Sequence, residues 1–166
     1  MPPLNGSIIV ADARGLMEPV TDFSVNSHRV ATETSGPVLT LLSRRLGRQI
    51  EVPGAILHGQ FSGPAGLLFL TTENVPYEEA LHVLLFNQML EQTDHLEVSN
   101  KLTPGALSDL CLNSSGTISF SFFGGDLWQL TVLEAPVRAL FSHPPGVHWP
   151  DSSPISKHYL RLTRVS

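Results

Sequence analysis

Residues 117–133, TISFSFFGGDLWQLTVL, constrain this chain more than any other stretch. Ile118, Phe120 and Phe122 alternate with Ser119 and Ser121, and Trp128, Leu130 and Val132 alternate with Gln129 and Thr131. Alternation at period 2 gives a strand one buried face and one wetter face. Between the two runs, Gly124, Gly125 and Asp126 read as a turn. The register is also restricted, because a slip of one residue turns a whole strand over. A two-residue Gly124-Gly125 loop sets Phe120 opposite Gln129 and Ser121 opposite Trp128. A three-residue loop, Gly124 to Asp126, instead pairs Phe122 with Trp128, Phe120 with Leu130 and Ile118 with Val132. The expected hairpin has that three-residue loop, or a bulge of the same parity, closed by a left-handed residue that Asp tolerates.

The other segments read mostly as strands. Residues 1–6 form a loose leader, 7–11 a short strand, and 23–34 a second strand or an edge. Ser35-Gly36-Pro37 has the chemistry of a helix start, with Ser35 as N-cap and Pro37 in the first turn. Val38, Leu41 and Leu42 then share a helical face, and Gly47 sits where a helix would end, so a helix is predicted over 37–46. A strand, a Pro53-Gly54 break and a second strand follow over 50–61. The continuous apolar run 67–72 suits a strand buried on both faces, hairpin-paired as 57–61 with 67–71. Residues 76–80 read as a single turn before strands at 81–86 and 95–98. The competing reading is a helix over 76–90, started by Asn74 and the acids Glu78 and Glu79. After a strand at 106–112 and the hairpin, Ala135-Pro136 closes the run. Short strand 137–141, an irregular Pro-rich segment 143–154 and a terminal strand 158–165 complete the chain.

The expected fold is one mainly β domain over 1–166. It is a two-sheet antiparallel sandwich with one short helix and a Pro-rich irregular segment. The alternative is α+β, with the second helix at 76–90. One cysteine, Cys111, excludes an internal disulfide framework and reads as a buried thiol between Leu110 and Leu112. No secretory leader and no membrane span are evident, which makes the cytoplasm the default location.

Charge narrows the partner classes. The net charge of −5 argues against nucleic acid. No Lys or Arg occurs between Gln49 and Asn100, whereas Glu51, Glu73, Glu78, Glu79, Glu91, Asp94 and Glu97 all lie there. Either this block forms an acidic face for a basic protein, or the flanking arginines fold back to neutralise it. Glu73, Glu78, Glu79 and Trp149, in its Pro-rich loop, are the candidate partner contacts. An aromatic in such a loop either folds onto the body or anchors a partner.

Chemistry is sparse by comparison. No HxH, HExxH, CxxC or carboxylate-rich loop is present, so neither a metal nor a cofactor is expected. The nearest approaches to a ligand set are Glu79 with His82, which needs a helix, and the trio His143, His148 and His158. His58 beside Gly59 is the first candidate for a general base, because a close backbone approach at the glycine opens room beside it. The leading expectation is a non-enzymatic binding or accessory protein, immunity- or adaptor-like, that turns an acidic face to a protein partner. The rivals are a small metal-dependent or His-based hydrolase and a structural subunit of a homo-oligomer.

Overall fold

The fold is that of a computed structural model and is described over residues 16–138, 144–152 and 156–165. In chain order the strands are β1 (Glu18–Pro19), β2 (Phe23–Arg29), β3 (Val38–Ser43), β4 (Gln49–Pro53), β5 (Ile56–Gly63), β6 (Gly66–Thr72) and β7 (Ala80–Phe86). Then come β8 (Gln92–Ser99), β9 (Ser108–Leu112), β10 (Ile118–Phe122), β11 (Asp126–Arg138), β12 (Val147–His148) and β13 (Lys157–Val165). Among the described residues one 3-10 turn, Pro76–Glu78, precedes β7. Every pairing is antiparallel. The mainly β, sandwich-like class therefore stands. The strand reading of 81–86 and 95–98 also holds, and the helix over 76–90 does not form.

Three sheets are present where two were expected. A six-stranded sheet, β1-β5-β6-β7-β8-β12, lies between a four-stranded sheet, β13-β11-β10-β9, and a three-stranded sheet, β2-β3-β4. Period 2 explains the layering. Leu68 and Leu70 of β6, Leu81, Val83 and Leu85 of β7, and Leu96 and Val98 of β8 pack on one side. They meet Ile118, Phe120, Phe122, Trp128, Leu130, Leu160 and Leu162 of the four-stranded sheet. Leu67, Phe69, Leu84 and Phe86 point the other way, onto Phe23, Leu39, Leu41, Ile50 and Val52. Edge-to-face contacts of Phe69 with Phe23 (5.0 Å) and Phe86 (5.7 Å) fill that second core.

The predicted helix at 37–46 is instead β3 and its turn. Leu39, Leu41 and Ser43 are buried while Val38, Thr40 and Leu42 are half-buried, so the period is 2. The strand lies between β2 and β4, bonded on both edges. The signals that resembled helix ends serve β structure. Ser35 Oγ bonds to Thr32 Oγ1 within a turn, and the Pro37 carbonyl accepts from Gly54 N at 2.8 Å. Gly47, at φ 63°, closes the loop from Ser43 to Arg48.

The central hairpin keeps the expected parity and shifts its loop. Ile118 pairs with Leu130, Ser119 with Gln129, Phe120 with Trp128 and Phe122 with Asp126. The loop is Phe123, Gly124 and Gly125, all at positive φ (58°, 70° and 108°). Two of its three left-handed positions thus go to glycine, the residue that adopts them without steric cost. Phe123 bears the remaining one, with its ring 4.5 Å from Phe122 and 6.3 Å from Trp128.

Ala135-Pro136 does not end the following strand. β11 continues through it to Arg138, with a bulge between Val132 and Val137 where no ladder bond is required of the proline. Cys111 is exposed on the edge strand β9, not buried, because Leu110 and Leu112 are the residues that pack inward. The leader 1–6, the strand predicted at 7–11, residues 139–141 and His143 lie outside the described residues.

Candidate functional site

β7 and β8 build a polar corner on an otherwise apolar sheet. His82 shares a side of β7 with Leu84 and Phe86, whereas His95, Glu97 and Ser99 alternate along β8 with Leu96 and Val98. Register brings His82 opposite Glu97 and His95 opposite Leu84, so the two imidazoles are diagonal neighbours. His82 Nδ1 lies 3.0 Å from His95 Nε2. The outer nitrogens each meet a carboxylate: His82 Nε2 is 2.8 Å from Glu73 Oε1, and His95 Nδ1 is 2.6 Å from Asp151 Oδ2. A continuous chain, Glu73–His82–His95–Asp151, results. Both rings are buried, while the side chains of Glu73 and Asp151 are 25% and 60% exposed.

A second branch joins at Glu97. Its Oε2 is 3.9 Å from His82 Nδ1, and its Oε1 accepts from Ser99 Oγ at 2.7 Å and lies 3.1 Å from His148 Nε2. Gln92 Nε2 donates to Asp151 at 3.3 Å. Burial, countered in part by Asp151, holds the His95 imidazolium below its ordinary value of 6.5, and the neighbouring His82 pushes the same way. Burial raises the Glu97 carboxyl, but the Ser99 hydrogen bond, the His82 charge and His148 outweigh it and leave the group below the usual range. Asp151 is also lowered, chiefly by its bond to His95.

Of the residues expected to matter, Glu73, His82 and His148 are gathered here, Glu78, Glu79, His58, His158 and Trp149 are not, and His143 lies outside the described residues. Glu79 is buried in a structural role, its Oε1 accepting from Glu73 N (2.9 Å) and Ala80 N (3.0 Å). With 79–82 extended, the ExxH pair has no common helical face. Glu78 is exposed on the 3-10 turn. His158 is on the opposite side of the central sheet, 2.9 Å from Asp94 Oδ1, so it does not converge with His148. Asp94 also accepts from the backbone amides of His95, Tyr159 and Leu160 at 2.9, 2.8 and 3.0 Å, which fastens β8 to β13. Trp149 folds onto the body and stacks on His158 with ring centres 4.3 Å apart, which removes it as a protruding anchor. Among the described residues no group of three or more His, Cys, Asp or Glu is arranged to hold a metal ion.

His58 occupies a different place. It is the extra residue of a bulge in β5, where Leu57 pairs with Thr71 and Gly59 with Leu70. An open cleft of about 450 Å³ adjoins it, walled by Val20, Leu57, Phe61, Leu110 and Leu112. The room beside Gly59 is thus real, although Leu110 closes in on the glycine itself: a Cβ there would come 2.9 Å from Leu110 Cδ2. Burial lowers the His58 pKa, and its Nε2 lies 2.8 Å from Thr72 Oγ1.

His95, Asp151 and Ser99 escaped the sequence reading. One signal was present: once β7 and β8 form a hairpin, the alternation of His95, Glu97 and Ser99 with Leu96 and Val98 places them on one face. Asp151 arrives from an irregular segment that no period describes. No known protein family, curated protein or solved structure matches the chain. Among the described residues no helix is long and apolar enough to cross a membrane.

Proposed function

We propose that this chain is a non-enzymatic binding protein, immunity- or adaptor-like, that engages a basic protein partner through the corner carrying Glu73, Glu97 and Asp151. The observation that carries the reading is how these carboxylates are held. Their ion pairs among the described residues are with His82, His95 and His148, so no permanently charged cation neutralises them there. Three of the flanking arginines are engaged elsewhere: Arg44 donates to the carbonyls of Thr21 and Asp22, Arg48 to that of Met89, and Arg164 pairs with Asp126. Field from such a corner favours a cationic partner and fades with salt.

The test is capture of partners from lysate at low and high salt, comparing the wild-type chain with Glu73→Lys/Asp151→Lys. Glu79 is left intact because it is buried. A stoichiometric basic partner, lost in high salt and weakened about tenfold or more by the double reversal, supports the reading. Undiminished binding by the variant, or no partner at all, rejects it.

A His-based hydrolase has the His58 cleft in its favour. Among the described residues the hydroxyl bonded to that imidazole is that of Thr72, which is 2% exposed and not presented to a substrate. This reading therefore ranks second, and its check is whether His58→Ala alters the binding of small aromatic esters. A homo-oligomer has in its favour the exposed pair Leu127 and Val165, which face each other across β11 and β13, and its check is the mass of the protein in solution.

A further inference from the structure

Proton counting makes a specific demand on the buried chain. Three hydrogen bonds join Glu73, His82, His95 and Asp151, and each needs one proton. Two neutral imidazoles supply two. If both carboxylates are ionised and each ring gives its only N–H to one of them, His82 Nδ1 and His95 Nε2 face each other as bare lone pairs at 3.0 Å. Buried lone pairs in that position repel, and among the described residues neither has an alternative donor. The ring centres are 5.2 Å apart, just short of the greatest distance that a 3.0 Å nitrogen separation and the two ring radii allow, so the nitrogens aim almost straight at each other. A metal would draw them towards a point off that line, with a third ligand close by. A single proton lies on the line.

We propose that His82 and His95 share one proton and that this shared proton is the latch of a pH-dependent clamp holding residues 144–152 on the central sheet. The segment is tied there by Gly146 O accepting from Ser99 N at 2.8 Å, by pairing of Val147 with Val98, and by His148 on Glu97. Asp151 completes the attachment through His95 and Gln92.

The titratable groups facing the pair are Glu73, at the exit of β6, Glu97 on β8, and His148 and Asp151 on the segment itself. Glu79 lies behind Glu73, bonded to its amide. With three protons the four-group chain carries one net negative charge. A fourth proton puts two donors face to face, and loss of the third puts two acceptors face to face. Docking is therefore strongest in the middle of the pH range and weaker on both sides. Burial and the neighbouring His82 both press against the His95 imidazolium, which opposes a fourth proton on the chain.

Ring-nitrogen NMR of the full chain tests the count, and hydrogen-exchange protection of the Ser99 amide reads the docking. The expected spectrum at neutral pH shows three protons on the four ring nitrogens of His82 and His95. Ser99 protection should peak in that window and fall about tenfold to either side, as expected for loss of one buried hydrogen bond. His95→Gln and Asp151→Asn should flatten the profile, whereas Gln92→Ala should lower it without changing its shape. Two neutral rings at neutral pH, protection flat across the folded pH range, or stoichiometric metal whose removal by chelator undocks the segment would each overturn the proposal. If His95→Gln does not fold, the wild-type spectrum and protection profile decide alone.

Discussion

At the scale of single residues, buried carboxylates and imidazoles account for the sharpest expectations. Asp94 is 2% exposed and accepts four hydrogen bonds, three of them from backbone amides. Asp94→Asn turns an amide donor towards at least one of those donors, and should cost about 3 kcal/mol in urea unfolding. Acid sensitivity has a definite sign. His58 and His95 both have folded pKa values below the ordinary 6.5, so the unfolded chain binds more protons once the pH drops below that value. The His58 contribution is complete above 6.5 and is lost as the pH falls through its folded value, and the lowered His95 value acts in the same direction against a second charge on the imidazole pair. Glu97 and Asp151, lowered from 4.5 and 3.8, add a second loss at more acidic pH. The urea midpoint should therefore be lower at about pH 5.5 than at about pH 7.5; a midpoint that rises on acidification contradicts these shifts. Little of this was legible in the sequence. His82 and Glu73 stood out as polar residues in an apolar stretch, but their partners come from another strand and from an irregular segment. Side-chain pairing across that distance leaves no local pattern.

At the scale of elements, the hairpin and β3 can be tested by the periods they obey. Gly125 is at φ 108° with open space around a built Cβ, so Gly125→Ala should cost about 1 kcal/mol from the backbone alone. Gly124, at φ 70°, should accept Asn within about 0.5 kcal/mol, because Asn visits the left-handed region readily. For β3 the discriminating pair is Leu39 and Leu42. A helix would bury Leu42 and leave Leu39 on its flank; the strand buries Leu39 and half-exposes Leu42. Leu39→Ala should cost about 3 kcal/mol and Leu42→Ala about 1, measured by chemical denaturation. Alternation was readable wherever one face was wet, as at 118–122 and 157–165. It failed at 38–42, where Val-Leu-Thr-Leu-Leu satisfies both periods. There the flanking Ser-Gly-Pro and Gly47 tipped the reading towards helix, although both belong to turns. The decision was made by hydrogen-bond partners on β2 and β4, which lie outside the window.

For the whole molecule, the central sheet belongs to two cores at once. Loss of the three-stranded sheet would bare Leu67, Phe69, Leu84 and Phe86, and loss of the four-stranded one would bare Leu68, Leu70, Leu81 and Val83. Neither half is then stable alone, so unfolding should be a single transition. Fluorescence of Trp128 and Trp149 and far-UV circular dichroism should trace one coincident curve in urea, and two separated midpoints would refute the shared-core account. The uninterrupted apolar run at 67–70 already implied cover on both faces. What period could not supply was the identity of the second cover, because the Pro53-Gly54 break that moves the chain from one sheet to another looks like any other turn.

Cys111 lies exposed on β9, between Leu110 and Leu112, two walls of the cleft beside His58. As the single cysteine of this sequence, it offers an attachment point for a fluorophore or spin label without any substitution. Because neighbouring residues of a strand point to opposite faces, a probe there would project away from the cleft that Leu110 and Leu112 line, and would mark the outer face of β9 without filling the cleft. The same thiol asks for reductant in the storage buffer, since two copies meeting edge to edge under oxidising conditions would be joined covalently.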